Sequence, residues 1–124
     1  MPGDQENALK IKIEASGAKA EGYLLRHLSP RTFSAIIKVL PIKAPLVREE
    51  DGVEFLTNLD LQADKYSNTV VSGQIVYRPR NGAICIFFHD MVLGERVVPI
   101  GRVESLSSLR KISGSSPGLI DVFT

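Results

Sequence analysis

The chain has 124 residues, 44% of them hydrophobic and 23% charged, a composition that fits one folded domain and excludes a disordered or low-complexity chain. Fifteen basic residues against fourteen acidic ones leave a net charge of +1, too little to draw the protein to nucleic acid or an anionic lipid surface. No apolar run approaches the ~20 residues of a membrane-crossing helix, so neither nucleic acid nor membrane is an expected partner.

Met1 to Asn7 are polar and expected to be frayed, with a single domain over residues 8–124. They carry no basic region followed by an apolar one, as a secretion signal would. The lone Cys85 can form no internal disulfide, and both features point to a cytoplasmic location. Leu9, Ile11, Ile13 and Ala15 alternate with Lys10, Lys12 and Glu14, a period of two that predicts a strand with one wet face. Ser16-Gly17 turns the chain into a second strand over residues 18–25.

Ser29-Pro30 reads as a helix cap followed by proline at the first helical position. Phe33, Ile36, Ile37 and Leu40 then form one apolar stripe, and Pro41 ends the helix. A short strand around Leu46 to Arg48 and another from Val53 to Thr57 join across Asp51-Gly52. Residues 58–68 lack periodicity and read as a long surface loop, a feature that is often functional.

Two β-rich runs flank Pro79-Arg80-Asn81-Gly82, and Asn-Gly favours a hairpin because both residues tolerate positive φ. The second run, Ala83 to Phe88, is apolar without a break and should be buried on both faces. A second loop is expected over His89 to Glu95, then a strand to Val103. Ser105 is placed to cap a short helix carrying Leu106, Leu109 and Ile112, with Gly114 behind it. Leu119 to Phe123 should be the last strand. The fold class is mainly β, with about eight short strands and two short helices, and a closed barrel buries such strands without leaving edges.

The order of these elements resembles a cyclophilin, and the resemblance covers nearly the whole chain. Its most specific piece is Gly94-Glu95-Arg96-Val97-Val98-Pro99-Ile100-Gly101-Arg102-Val103, followed by Leu106, Leu109 and Ile112. It is similar to the cyclophilin run Gly-x-x-Val-Val-x-Gly-x-Val, with one residue added before Gly101. Tyr77-x-Pro79 and the run Ala83 to Phe88 resemble still more closely the small cyclophilin-like proteins of bacteria and archaea. The resemblance implies a closed barrel capped by a helix at each end. It also implies ligand binding on the outer face, where cyclophilins hold an X-Pro segment while an arginine donates to the prolyl nitrogen. Such a donor favours the twisted transition state. Arg48 lies at about the position of that arginine, with Phe55 across the turn. The chain departs from cyclophilins in having no tryptophan, with Arg96 where their histidine stands and Met91 and Val92 in the preceding loop.

His27 and His89 are far apart in sequence and lack partners at ligand spacing, so no metal is expected. No glycine-rich phosphate loop or other cofactor motif occurs, so no cofactor is expected either. His89 can orient a ligand or serve as a structural, hydrogen-bonded histidine. Glu49-Glu50-Asp51 reads as a solvated turn. Arg78, Arg80, Arg96 and Arg102 form a basic patch if they share a side, or ordinary surface charge if they do not.

The leading expectation is a binding module with an outer-face groove between the Leu46–Thr57 and Tyr77–Met91 hairpins. It would take a peptide or small anionic ligand, with Arg48 and Arg96 as donors and Phe55, Phe88, His89 and Met91 beside them. One alternative is a peptidyl-prolyl isomerase with a reduced active site, in which Arg48 would be the catalytic group. Another is a homo-oligomeric assembly protein using an exposed Met91-Val92-Leu93 loop.

Overall fold

A computed structural model describes residues 7–124. The expected frayed terminus falls on residues before these, apart from Asn7, whose carbonyl accepts the Arg26 amide at 2.8 Å. Strands β1 (Ala8–Ala15) and β2 (Ala18–Leu25) form the first hairpin. Ser16 and Gly17 turn it at φ of 53° and 78°, the primed geometry that matches the twist of the flanking strands. Period two puts Ile11, Ile13 and Ala15 in the core and leaves the lysines wet.

Helix α1 (Pro30–Ile37) buries Thr32, Phe33 and Ile36. Its N-terminus is capped from a distance rather than by Ser29, whose hydroxyl donates to the Leu28 carbonyl at 2.7 Å. The Asp64 carboxylate instead accepts the Arg31 amide at 3.2 Å and the Thr32 hydroxyl at 3.0 Å. An acid at a helix start also meets the positive end of the dipole. Asp64 belongs to the long loop that sequence alone leaves without a role.

Strands β3 (Ile42–Arg48), β4 (Gly52–Phe55), β5 (Ser67–Val70), β6 (Gln74–Arg78), β7 (Ala83–Phe87), β8 (Met91–Val103) and β9 (Ser115–Val122) complete the sheet. The order around the ring is β2-β1-β9-β3-β4-β7-β6-β8, and β8 pairs back to β2. The result is a closed barrel of eight antiparallel strands, with β5 attached to β8 outside the ring. Phe33 and Ile36 of α1 and, after β8, Leu109 and Ile112 around a 3-10 turn (Leu109–Lys111) join the barrel core. That turn stands where a second helix is expected, and it takes up only three residues of the run between Ser105 and Gly114.

The region expected as a loop before Glu95 is strand instead. Met91 to Val103 is one element of thirteen residues, far longer than its neighbours. Its second half is a barrel stave, pairing Val98 to Tyr77 and Arg102 to Gln74. Its first half leaves the ring and, among the described residues, pairs only with β5. Between the halves the register slips: β8 takes five steps, Val92 to Val97, where β5 takes two, Ser67 to Thr69. A β-bulge follows, since Ile75 faces Gly101 while Val76 faces Pro99. Ile100 is thus the extra residue, at the place where the sequence carries one more than the cyclophilin run.

The closing seam needs glycine. A Cβ on Gly101 would lie 2.1 Å from the Tyr23 carbonyl oxygen, a backbone atom that cannot move aside without breaking the β2–β8 pairing. Gly101→Ala should therefore lower unfolding stability by about 3 kcal/mol, the upper range for an overpacked site. Gly94→Ala, with nothing within 4 Å of the added atom, should stay within about 0.5 kcal/mol of wild type. Urea unfolding of both variants checks this, and equal stability would contradict the seam argument.

Candidate functional site

β4 reads Gly-Val-Glu-Phe, and strand alternation sends Val53 and Phe55 into the core and Glu54 to the outer face. The register extends that outer row from Glu54 to Cys85 and from Cys85 to Val76. The first half of β8 folds over this face with β5. It forms a second apolar cluster of Val70, Val76, Ala83, Cys85, Phe87 and Val97, with Met91 and Leu93 packed against it. Beside β4 the cover stops and a groove of about 380 Å3 remains. Glu49, Glu50 and Asp51 line one part of it, Met91 and Leu93 another, with Glu54, Arg78, Arg80, Cys85 and Phe87 among the rest.

Glu54 is only 8% exposed. One of its carboxylate oxygens accepts from Arg78 Nη1 at 2.8 Å and from Asn81 Nδ2 at 2.9 Å. Arg78 Nε lies 3.2 Å from Glu95, and Arg80 Nε lies 3.2 Å from the other oxygen of the same carboxylate. An alternating series Glu54–Arg78–Glu95–Arg80 therefore ties β4 and β6 to the β8 cover and the β6–β7 turn. The Glu54–Arg78 contact is poorly screened, because both side chains are largely enclosed, whereas the exposed Arg80 contributes little. Asn81 helps from the turn: its side-chain oxygen accepts the Ala83 amide at 3.1 Å. Only Gly82 takes positive φ there, at 72°, so the connection is a four-residue turn rather than a two-residue Asn-Gly one.

Cys85 Sγ lies 3.9 Å from the Glu54 carboxylate. Burial pushes its thiol up to about 12; the Arg78 charge pulls the other way, and Glu54 and Glu95 add to the rise. A thiol held neutral in this way is a core filler at neutral pH rather than a nucleophile.

The expected site residues are dispersed. Arg48 follows Leu46 on the inward face of β3, so its guanidinium reaches the barrel mouth. It stacks 4.6 Å from the Phe88 ring centroid and donates to the Glu49 carbonyl. Arg110 lies over the same ring at 5.1 Å. Val47, not Arg48, stands opposite Glu54, so the arginine expected for prolyl isomerisation does not open onto the outer face. Phe55 is fully enclosed in the core, and Phe88 is buried at the mouth. His89 Nε2 meets Asp51 Oδ1 at 2.8 Å, bridging the β3–β4 turn to the start of β8. Arg96 lies at the opposite end of the barrel from Arg48, 4.9 Å from the Tyr66 ring. Of the six, Met91 alone lines the groove. Of the four arginines considered as a patch, Arg78 and Arg80 meet at Glu95, while Arg96 and Arg102 stand apart from them. Met91, Val92 and Leu93 are not a run of exposed residues. Val92 is 72% exposed, but Met91 and Leu93 point the other way onto the outer-face cluster.

Glu54, Arg78, Glu95 and Asn81 are the polar groups that sequence reasoning missed as a set. One signal was available: Glu54 is a charge inside an otherwise apolar strand, where burial demands a partner. A larger hollow of about 800 Å3 lies across β1, β9 and β3. It is more open than the groove, and among the described residues no ion pair joins its lining, so it offers less fixed chemistry.

The sequence matches the family described as Cyclophilin-like over residues 8–120. The chain belongs to the cyclophilin-like family. This cyclophilin-like chain is also similar to the solution structure of a hypothetical protein from Archaeoglobus fulgidus, at 24% identity and a TM-score of 0.77. That likeness covers 98% of this chain and 99% of the other and establishes the shared fold. No curated protein matches the chain. No helix among the described residues is long and apolar enough to cross a membrane.

The Cys85 environment gives a pH test with a definite sign. The folded thiol keeps its proton to about 12, whereas an exposed one loses it near 9.0. Stability from the neutral thiol is therefore complete below pH 9 and falls as pH rises from there towards 12, because the unfolded chain ionises first. By pH 10 the loss should be on the order of 1 kcal/mol. Urea unfolding at pH 8 and pH 10 should show a drop smaller by that amount in Cys85→Ala, and an identical drop would contradict the buried neutral thiol.

Proposed function

We propose that this cyclophilin-like domain is a binding module that takes its ligand in the outer-face groove between the β3–β4 turn and the first half of β8. The observation supporting this reading is the Glu54–Arg78 pair, a nearly buried ion pair at an open groove. Two apolar residues would fill that space without the desolvation penalty of two charges. Fixed polar groups set among apolar walls such as Phe87, Met91 and Leu93 are the usual make-up of a ligand site.

A short peptide is the ligand class that fits best. A small anion would need an uncommitted guanidinium, and Arg78 and Arg80 both already face carboxylates. Arg48 and Arg96 stand outside the groove, so neither is assigned a binding or catalytic role in it.

Amide chemical shifts followed by NMR during titration with a pool of short extended peptides test this. The expected changes gather at Gly52, Glu54, Cys85, Met91 and Leu93. Leu93→Asp should weaken them about tenfold, roughly 1.4 kcal/mol, while Arg48→Ala should leave them unaltered. Changes confined to the barrel mouth around Phe88, or none anywhere, would rule the groove out.

A further inference from the structure

We infer that the occupant of this groove is an extended segment carrying a basic side chain, added as a strand along the open edge of β8; the inference rests on the groove being the binding site. Two independent features carry it. The first is backbone. At Met91 and Val92, β8 pairs with β5 on one edge, and among the described residues no strand pairs with its other edge, which runs on to Leu93. Met91 and Leu93 line the groove and no residue of β5 does, so the edge bordering the groove is the unpaired one. An unpaired edge beside a cleft is the arrangement that takes a peptide by strand addition, with main-chain hydrogen bonds supplying affinity and alternate side chains supplying specificity.

The second feature is charge. The two cations in the lining, Arg78 and Arg80, are matched by Glu54 and Glu95, and Asp51 is held by His89. Glu49 and Glu50 are exposed and, among the described residues, have no ion-pair partner. The uncommitted charge of the groove is thus negative and sits across from the open edge. A lysine or arginine reaching from an added strand would meet it, while an apolar neighbour on the same strand would rest against Met91, Leu93 and Phe87. The sign is opposite to that of a groove built on free arginines. It selects against acidic segments through like-charge repulsion as well as for basic ones.

Three pentapeptides of one pattern decide the matter, each labelled for fluorescence anisotropy: Val-Lys-Val-Lys-Val, Val-Glu-Val-Glu-Val, and the lysine peptide with alternate backbone amides N-methylated. The lysine peptide should bind at least about tenfold more tightly than the glutamate one at low salt. Glu49→Lys with Glu50→Lys, both on an exposed turn, should remove or invert that preference. N-methylation should weaken binding by about tenfold or more, because it removes the strand-pairing donors. Equal affinity for the two charge types, or a preference unaltered by the double substitution, would overturn the inference while leaving the groove as a binding site. Undiminished binding of the methylated peptide would overturn the strand-addition part in the same way. If no peptide perturbs groove amides in the parallel NMR titration, the groove reading itself fails and the inference with it.

Discussion

β8 is too long for the barrel it closes, and most of what distinguishes this molecule follows from how that length is accommodated. Its neighbours in the ring run from four to eight residues while it has thirteen, so about half of it must leave the ring. It leaves through a slipped register opposite β5 and a bulge at Ile100, devices that bend a strand and re-aim its side chains. As a result Val97 is buried in the outer cluster while its neighbour Val98 is buried inside the barrel. The covering half then does three things at once. It hides the apolar outer face of β6 and β7, brings Glu95 to Arg78, and leaves a groove where the cover ends beside β4.

The electrostatics of the groove depend on the same bend. Without the β8 cover, Arg78 would face solvent and its pairing with Glu54 would be a screened surface contact worth little. Under the cover the pair sits at low exposure, with Asn81 donating to the same Glu54 oxygen and the Glu95 carboxylate 3.2 Å from Arg78 Nε. The Arg78 and Arg80 charges are thereby taken up locally. What remains uncommitted in the lining is the pair of turn carboxylates at Glu49 and Glu50.

Much of the fold is legible in the sequence because period two and turn residues encode it directly. The alternation of Leu9 to Ala15, the Ser16-Gly17 turn and the unbroken run from Ala83 each correspond to an observed element, and the stripe of Phe33, Ile36, Ile37 and Leu40 does so up to Ile37, where the helix ends before Leu40. The added residue before Gly101 is visible as well, although only the register reveals it as a bulge. The capping of α1 by Asp64 is not legible, because it joins residues more than thirty positions apart through a loop without periodicity. The site is the least legible part. Arg48 and Arg96 look like natural anion ligands, yet strand parity sends Arg48 to the mouth and the bend carries Arg96 to the opposite end. Glu54 and Arg78 form a site only through pairing across β4, β7 and β6, and nothing local to either residue encodes that distance.

The claim most exposed to direct test is that β8 is one strand living in two environments. Amide hydrogen exchange followed residue by residue along Met91 to Val103 reads it. Slow exchange near the global unfolding limit is expected for the amides of Val98 and of Gly101 to Val103, which are paired into the ring. Alternate amides between Met91 and Leu93, those on the open edge, should exchange orders of magnitude faster, as unpaired exposed donors do. Uniform protection along the whole strand would contradict it, because the first half would then have a second strand partner and no free edge to border the groove.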